Sequence, residues 1–267
     1  MAKRLKFWTG LGIATVSGTI IAGAAALDTA ANKQAVQHGK LLLMADASGE
    51  GGESGSVLAG DDRIAYLLDL ALVEGHMQVG VALYKAGDAE AAKPHMKHPK
   101  DELYADLEKR FAEMKVAGFA NELDAVAKAV ESGAAAADVD ALMAKLLAEI
   151  AEYRGDAMTA AEAAQTATLL VRKAAEDYSA GIKDGKVVEA HEYQDAWGFI
   201  QAARNLLAAL SKAEREEHAG PLGEIDAELA GLDAAFPDIA GKLAIGADPT
   251  LLPATAARIE LAGFAIK

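Results

Sequence analysis

The chain contains no cysteine among its 267 residues, and this absence excludes whole classes of site. Disulfide scaffolds, cysteine-ligated zinc or iron–sulfur centres and thiol nucleophiles all require cysteine sulfur. Covalent haem attachment through a Cys-x-x-Cys-His motif is excluded for the same reason. A metal site made by the side chains of this protein must therefore use nitrogen, oxygen or thioether donors.

Aromatic residues and positive charges are also scarce. Only 5% of the residues are aromatic, and 26 lysines and arginines are set against 40 aspartates and glutamates, which gives a formal net charge of −14. Proteins that bind the nucleic-acid backbone need a basic surface, so we expect no nucleic-acid partner. Alanine makes up about a quarter of the chain and favours helices over strands. The composition predicts an all-α fold, an antiparallel helical bundle with short loops.

The N-terminal segment has the pattern of an export signal. Three basic residues within the first six precede an uncharged stretch at 7–27, which contains the small-residue sequence Ala24-Ala25-Ala26. The same stretch is long enough for an uncleaved membrane anchor. We therefore predict a signal peptide or N-terminal membrane anchor in residues 1–26. The protein is expected in the periplasm, either soluble after cleavage or tethered to the inner membrane by residues 7–27.

The rest of the chain divides into a linker and a folded domain. Residues 27–60 are predicted to be a weak helix followed by a flexible segment rich in glycine, serine and glutamate. Residues 61–267 are predicted to form the helical bundle domain. Its signals include a capping box at Thr159–Glu162, a turn at Gly185 and a helix from about 189 to 210.

Three of the six histidines lie within 23 residues of one another. The first falls on the inward face of a predicted helix, and the other two lie in a turn that Pro94 and Pro99 are predicted to bracket. Two imidazoles and a following carboxylate can converge on one cation, and this donor set suits iron, zinc or copper(II), whereas the adjacent methionines would favour copper(I). The alternatives are a buried core histidine and an ordinary exposed helix start. The candidate metal ligands of this first group are His76, His95, His98 and Glu102.

A second, weaker group of candidate ligands lies at the start of the helix predicted near residue 189. His191 and Asp195 are four residues apart and share a helix face, and Glu192 lies between them. The alternative is a solvated first helical turn. The Glu-x-x-His pattern of ferritin-like di-iron bundles is absent, which argues against an oxidase of that type.

Catalytic motifs are missing as well. The sequence lacks the His-Glu-x-x-His signature of zinc proteases, the Gly-x-Ser-x-Gly of hydrolases and the phosphate-binding Gly-x-x-x-x-Gly-Lys-Ser/Thr loop. Acid–base catalysis needs only two carboxylates, but no feature of the sequence selects a pair. We therefore predict that the protein is not an enzyme.

One segment near the middle of the chain resembles a known family. It contains the sequences Ala174-Ala175-Glu176-Asp177-Tyr178, Gly181-Ile182-Lys183-Asp184-Gly185-Lys186-Val187-Val188, Glu192-Tyr193 and Phe199. It resembles the extracytoplasmic helical region of bacterial iron permeases, which is similar in general design to the imelysin-type periplasmic iron-uptake proteins. The Arg-Glu-x-x-Glu motifs of the permease and the imelysin-type Gly-x-His-x-x-Glu are not present. The resemblance implies an exported helical module in a metal-uptake setting, and it transfers no ligands.

These observations predict an exported helical metal-binding accessory protein of iron or copper uptake. Its expected ligand is an iron or copper ion, and its expected partner is an inner-membrane permease or another envelope complex. The alternative is a non-catalytic, membrane-tethered interaction subunit of an envelope complex, because alanine-rich helices pack closely against partners.

Overall fold

The structure, a computed structural model, describes residues 60–155, 157–243, 246, 248 and 250–266. The predicted signal peptide or anchor and the predicted linker, apart from Gly60, lie outside the described residues.

Helices account for most of the described chain, which confirms the predicted all-α bundle. The α-helices are α1 (Asp62–Lys85), α2 (Ala89–His98), α3 (Tyr104–Met114), α4 (Ala120–Glu131), α5 (Ala136–Arg154), α6 (Ala160–Gly181), α7 (Ala190–Ala208), α8 (Lys212–Glu217), α9 (Ala219–Ala230) and α10 (Leu251–Gly263). Between them lie a π-helical turn (Pro99–Leu103), a 3₁₀ turn (Gly231–Ala235) and two short strands, β1 (Ile182–Lys183) and β2 (Lys186–Val187).

Helix α1 forms the centre of the fold. Asp61 caps its start by accepting hydrogen bonds from the backbone N–H groups of Arg63 and Ile64. The helix packs against α2, α5, α6 and α7. By length and composition α1 could cross a membrane, but 94% of its most apolar window is buried inside the protein. That burial is typical of the core helix of a soluble domain.

Helices α6 and α7 form an antiparallel pair joined by a tight hairpin. The capping box predicted at Thr159 and Glu162 is present and starts α6. After α6, strands β1 and β2 pair around Asp184 and Gly185, both of which have positive φ, as a two-residue hairpin turn requires. Helix α6 also packs against α10, and α9 packs against both α7 and α10, so these helices form a four-helix arrangement.

Helices α1 and α7 approach each other through two glycines. A Cβ atom at Gly198 would lie 2.6 Å from the carbonyl oxygen of Gly75 and 2.5 Å from a methyl group of Val79. A Cβ atom at Gly75 would lie 2.8 Å from the ring of Phe199. Only a residue without a side chain permits this backbone separation. The contact therefore fixes how closely His76 on α1 can approach Asp195 on α7.

The prediction of a turn between Pro94 and Pro99 is wrong. Pro94 lies inside helix α2, and Pro99 opens the π-helical turn that leads into α3. Proline inside a helix removes one backbone hydrogen bond. Helix α2 persists because Ala92 and Met96 are buried in the core, with Met96 packed over Gly80 of α1. His95 and His98 thus lie on helix α2 rather than in a turn.

Candidate metal centre

The carboxylate of Asp195 lies at the centre of a buried histidine cluster. Its Oδ1 atom is 2.8 Å from Nδ1 of His76 and 2.8 Å from Nδ1 of His95, and its Oδ2 atom is 3.0 Å from Nδ1 of His191. A carboxylate only accepts hydrogen bonds, so the imidazole Nδ1–H groups donate to it. Helices α1, α2 and α7 each contribute to this arrangement, which joins the two groups of candidate ligands into one cluster.

His98 and Glu102 extend the cluster toward the surface. The His98 ring lies 4.7 Å from the ring of His76 and 5.8 Å from that of His191, and its Nδ1 atom is 3.4 Å from a carboxylate oxygen of Glu102. Glu102 lies within the π-helical turn that begins directly after His98. Such turns occur often at functional sites. The structure therefore brings together four of the six histidines with two carboxylates.

Glu192 does not join the contacts of the cluster. It is half-buried at the start of α7, and its effect on the cluster is electrostatic, through His191. Two further residues contact the cluster, and sequence reasoning did not select either of them as a site residue. Gln194 places its side-chain oxygen 2.9 Å from Nε2 of His95, and Phe199 packs edge-on against the His76 ring. Both are buried and hold the imidazoles in position.

The electrostatics of the cluster keep Asp195 ionised. Burial alone would raise the pKa of Asp195, but the charge of His76 and hydrogen bonds from His191, His76 and His95 together hold this pKa well below its usual range. The hydrogen bond to Asp195 raises the pKa of His191, and burial opposes this rise only in part. The cluster thus contains a fixed negative charge surrounded by imidazoles.

The pKa shifts predict a pH dependence of the metal-free protein. Because the pKa of His191 is raised in the folded state, the protonated ring stabilises the fold. This stabilisation is fully present below the ordinary histidine pKa of 6.5 and is lost as pH rises through the folded-state pKa. Since His191 is partly exposed, we expect the loss to stay below about 1 kcal/mol. Urea unfolding of the wild type and of His191→Gln at pH 5.5 and pH 8.5 measures the difference in their free energies of unfolding at each pH. The difference between the two proteins should shrink at the higher pH, and a difference that grows would contradict the assignment.

The donor set fits a divalent transition metal. His76, His95 and Asp195 each offer one ligand atom, and these atoms lie within 4.8 Å of one another. Two imidazoles and one carboxylate suit iron(II), and imidazole donors also suit zinc and copper(II). Met96 fills the core above Gly80, as a packing methionine does. The residues present therefore favour nitrogen and oxygen ligation over a thioether site.

Comparison with protein families matches the second part of the chain. Residues 155–262 match the family of iron permease-associated 4-helix bundle domains. The match includes the segment 174–199 and confirms its resemblance to the helical region of iron permeases. Comparison with curated proteins and with solved structures gives no significant match.

The residues that match the iron permease-associated 4-helix bundle domain supply only part of the cluster. Asp195, Gln194 and His191 lie within it, on α7. The other imidazoles come from α1 and α2, which precede the matched residues. The candidate centre is therefore formed where the matched domain packs against the helices that come before it in the chain.

Proposed function

We propose that this protein is an extracytoplasmic, non-catalytic accessory protein of an iron-uptake system, and that its histidine–aspartate cluster binds the ion. The observation that carries the proposal is the convergence of three imidazoles on the buried carboxylate of Asp195. The match of residues 155–262 to an iron permease-associated domain supports iron as the cargo and an inner-membrane permease as the partner. Copper(II) is the second candidate ion.

A purely structural role accounts less well for the composition of the cluster. One buried carboxylate needs only a few hydrogen-bond donors, and each additional polar ring that is buried has a desolvation cost. Here the rings of His76 and His95 are fully buried and that of His98 nearly so. A bound cation would give the deprotonated nitrogens of these rings a common partner, since metal binding replaces protons on histidine nitrogens.

The sequence supports the proposed location. The basic start, uncharged stretch and small-residue site of residues 1–26 are typical of export, and the net charge of −14 attracts cations to the surface of the protein. Either cleavage or anchoring by residues 7–27 would leave the cluster outside the cytoplasm.

Metal titration of the purified full chain tests the proposal. We expect one Fe²⁺ per chain under anaerobic conditions, measured by calorimetry and by elemental analysis. Asp195→Asn preserves the shape of the side chain and removes the charged ligand, so it should weaken binding about 10–100-fold. His218→Ala is the matched control, because His218 lies at the junction of α8 and α9. Equal affinity of the wild type and of Asp195→Asn would contradict the assignment.

A second candidate function is an interaction subunit of an envelope complex. Leu261 and Phe264, at the end of α10, are large apolar side chains that are mostly exposed. Exposed apolar groups of this kind often contact a partner. A stable partner recovered from solubilised membranes, with no metal in the complex, would favour this function over cation binding.

A further inference from the structure

Among the described residues of the cluster, solvent exposure is concentrated at one end. The side chains of His76 and His95 are fully buried and that of Asp195 is 3% exposed, whereas His191 is 33% exposed and Glu102 is 31% exposed. These exposures indicate that an ion enters the cluster at the end where Glu102 and His191 meet the solvent.

His98 lies between this open end and the buried carboxylate. Its ring is 4.7 Å from the ring of His76, which contacts Asp195, and its Nδ1 atom is 3.4 Å from Glu102. The His98 side chain is 8% exposed, intermediate between those of Asp195 and Glu102. Exposure thus falls stepwise from Glu102 through His98 to His76.

The pairing of His98 and Glu102 is itself suited to hold a cation briefly. Their separation of 3.4 Å is that of a long polar contact, longer than the 2.8 Å contacts around Asp195. One carboxylate and one imidazole provide too few ligands for tight binding, but they can replace part of the hydration shell of a divalent ion. A weak outer position next to a tight inner position permits rapid loading.

We propose that Glu102 and His98 form an outer position that captures a divalent transition-metal ion and passes it between His98 and His191 to the inner position at Asp195. This inference rests on the proposed function, because it describes the route to the same site. Glu102 is then a transit ligand, and His76, His95 and Asp195 hold the ion at rest.

A transit ligand and a resident ligand have different kinetic signatures. Loss of a transit ligand raises the barrier that the ion crosses in both directions, so association and dissociation slow by the same factor and the affinity is nearly unchanged. Loss of a resident ligand speeds dissociation and weakens affinity. Glu102→Gln distinguishes the two, because it removes the charge and preserves the size of the side chain.

Stopped-flow binding of Co²⁺ to the full chain provides the measurement, with Co²⁺ as a redox-stable stand-in for Fe²⁺. Tryptophan fluorescence reports binding, since Trp197 lies two residues beyond Asp195 on α7 and Co²⁺ quenches emission. Dissociation is followed by mixing the loaded protein with excess EDTA. We expect Glu102→Gln to slow both association and dissociation about tenfold.

Asp101→Asn is the matched control. Asp101 is an exposed neighbour of Glu102 on the same π-helical turn, so its replacement removes the same charge from almost the same place. It should change both rate constants by less than about twofold, because general attraction of the ion by one surface charge is screened by salt.

The outcomes separate this inference from the proposed function. If Glu102→Gln and Asp101→Asn have the same rate constants, or if Glu102→Gln weakens affinity through faster dissociation alone, the transit role is wrong while the inner site stands. If the wild type binds neither Co²⁺ nor Fe²⁺, the proposed function itself fails. Circular dichroism melts of both variants confirm that the fold is intact.

Discussion

Replacing Glu74 by glutamine is expected to lower the free energy of unfolding by about 3–5 kcal/mol, since breaking a buried ion pair leaves one charge uncompensated. Glu74 lies on α1, and its Oε2 atom accepts a hydrogen bond of 2.7 Å from the guanidinium of Arg154. Gln78 and Asn205 donate to the other carboxylate oxygen. Both charged side chains are almost fully buried, so this variant would leave the charge of Arg154 buried without the carboxylate of Glu74.

Chemical denaturation measures this loss, and two further variants interpret it. Asp140→Asn breaks the exposed ion pair with Lys85 and should cost less than about 1 kcal/mol. The double variant Glu74→Leu/Arg154→Met removes both buried charges and should recover most of the lost stability. A Glu74→Gln protein as stable as Asp140→Asn would show that the buried pair contributes little.

Replacing Gly198 by alanine should separate α1 from α7 and affect both stability and metal binding. The added methyl group meets the backbone of Gly75, which cannot rotate away as a side chain could. Overpacking of this kind costs about 1–3 kcal/mol. The same displacement moves His76 away from Asp195, so we expect at least tenfold weaker metal binding in addition.

Gly223→Ala is the matched control for this substitution. Gly223 lies inside α9, and nothing lies within 4 Å of the position that its Cβ atom would occupy. Alanine should stabilise that helix by about 0.5–1 kcal/mol without changing affinity. Denaturation curves and metal titrations of the two variants measure these changes in stability and metal affinity. A Gly198→Ala protein with unchanged stability and affinity would show that the helices can move apart without consequence.

The helical architecture could be predicted from the sequence because its signals are local. Alanine favours helix at each position where it occurs, and the capping box at Thr159 and the turn at Gly185 act over a few residues. The structure contains both the capping box and the turn. The predicted turn around Pro94 was wrong because a local rule was applied where tertiary packing against α1 decides the conformation.

The candidate centre could be predicted only in parts. Residue types and i, i+4 spacing selected His98 with Glu102 and His191 with Asp195, and the structure shows both pairs in contact. That the two groups form one cluster could not be predicted, because the contact between His95 and Asp195 spans 100 residues of chain. Gln194 was missed because a single amide has no spacing rule that marks it as a partner of histidine.

The division of the cluster between two parts of the chain limits what a match to a domain family can convey about the site. A polypeptide with only the segment corresponding to 155–262 would keep the aspartate and one imidazole and would lack the three that α1 and α2 provide. Proteins that match this domain but have different helices in front of it would therefore present a different set of side chains at this position. A search for proteins with the same cluster should start from the paired histidines of α2 together with the glycine contact of α1, and only then from the matched domain.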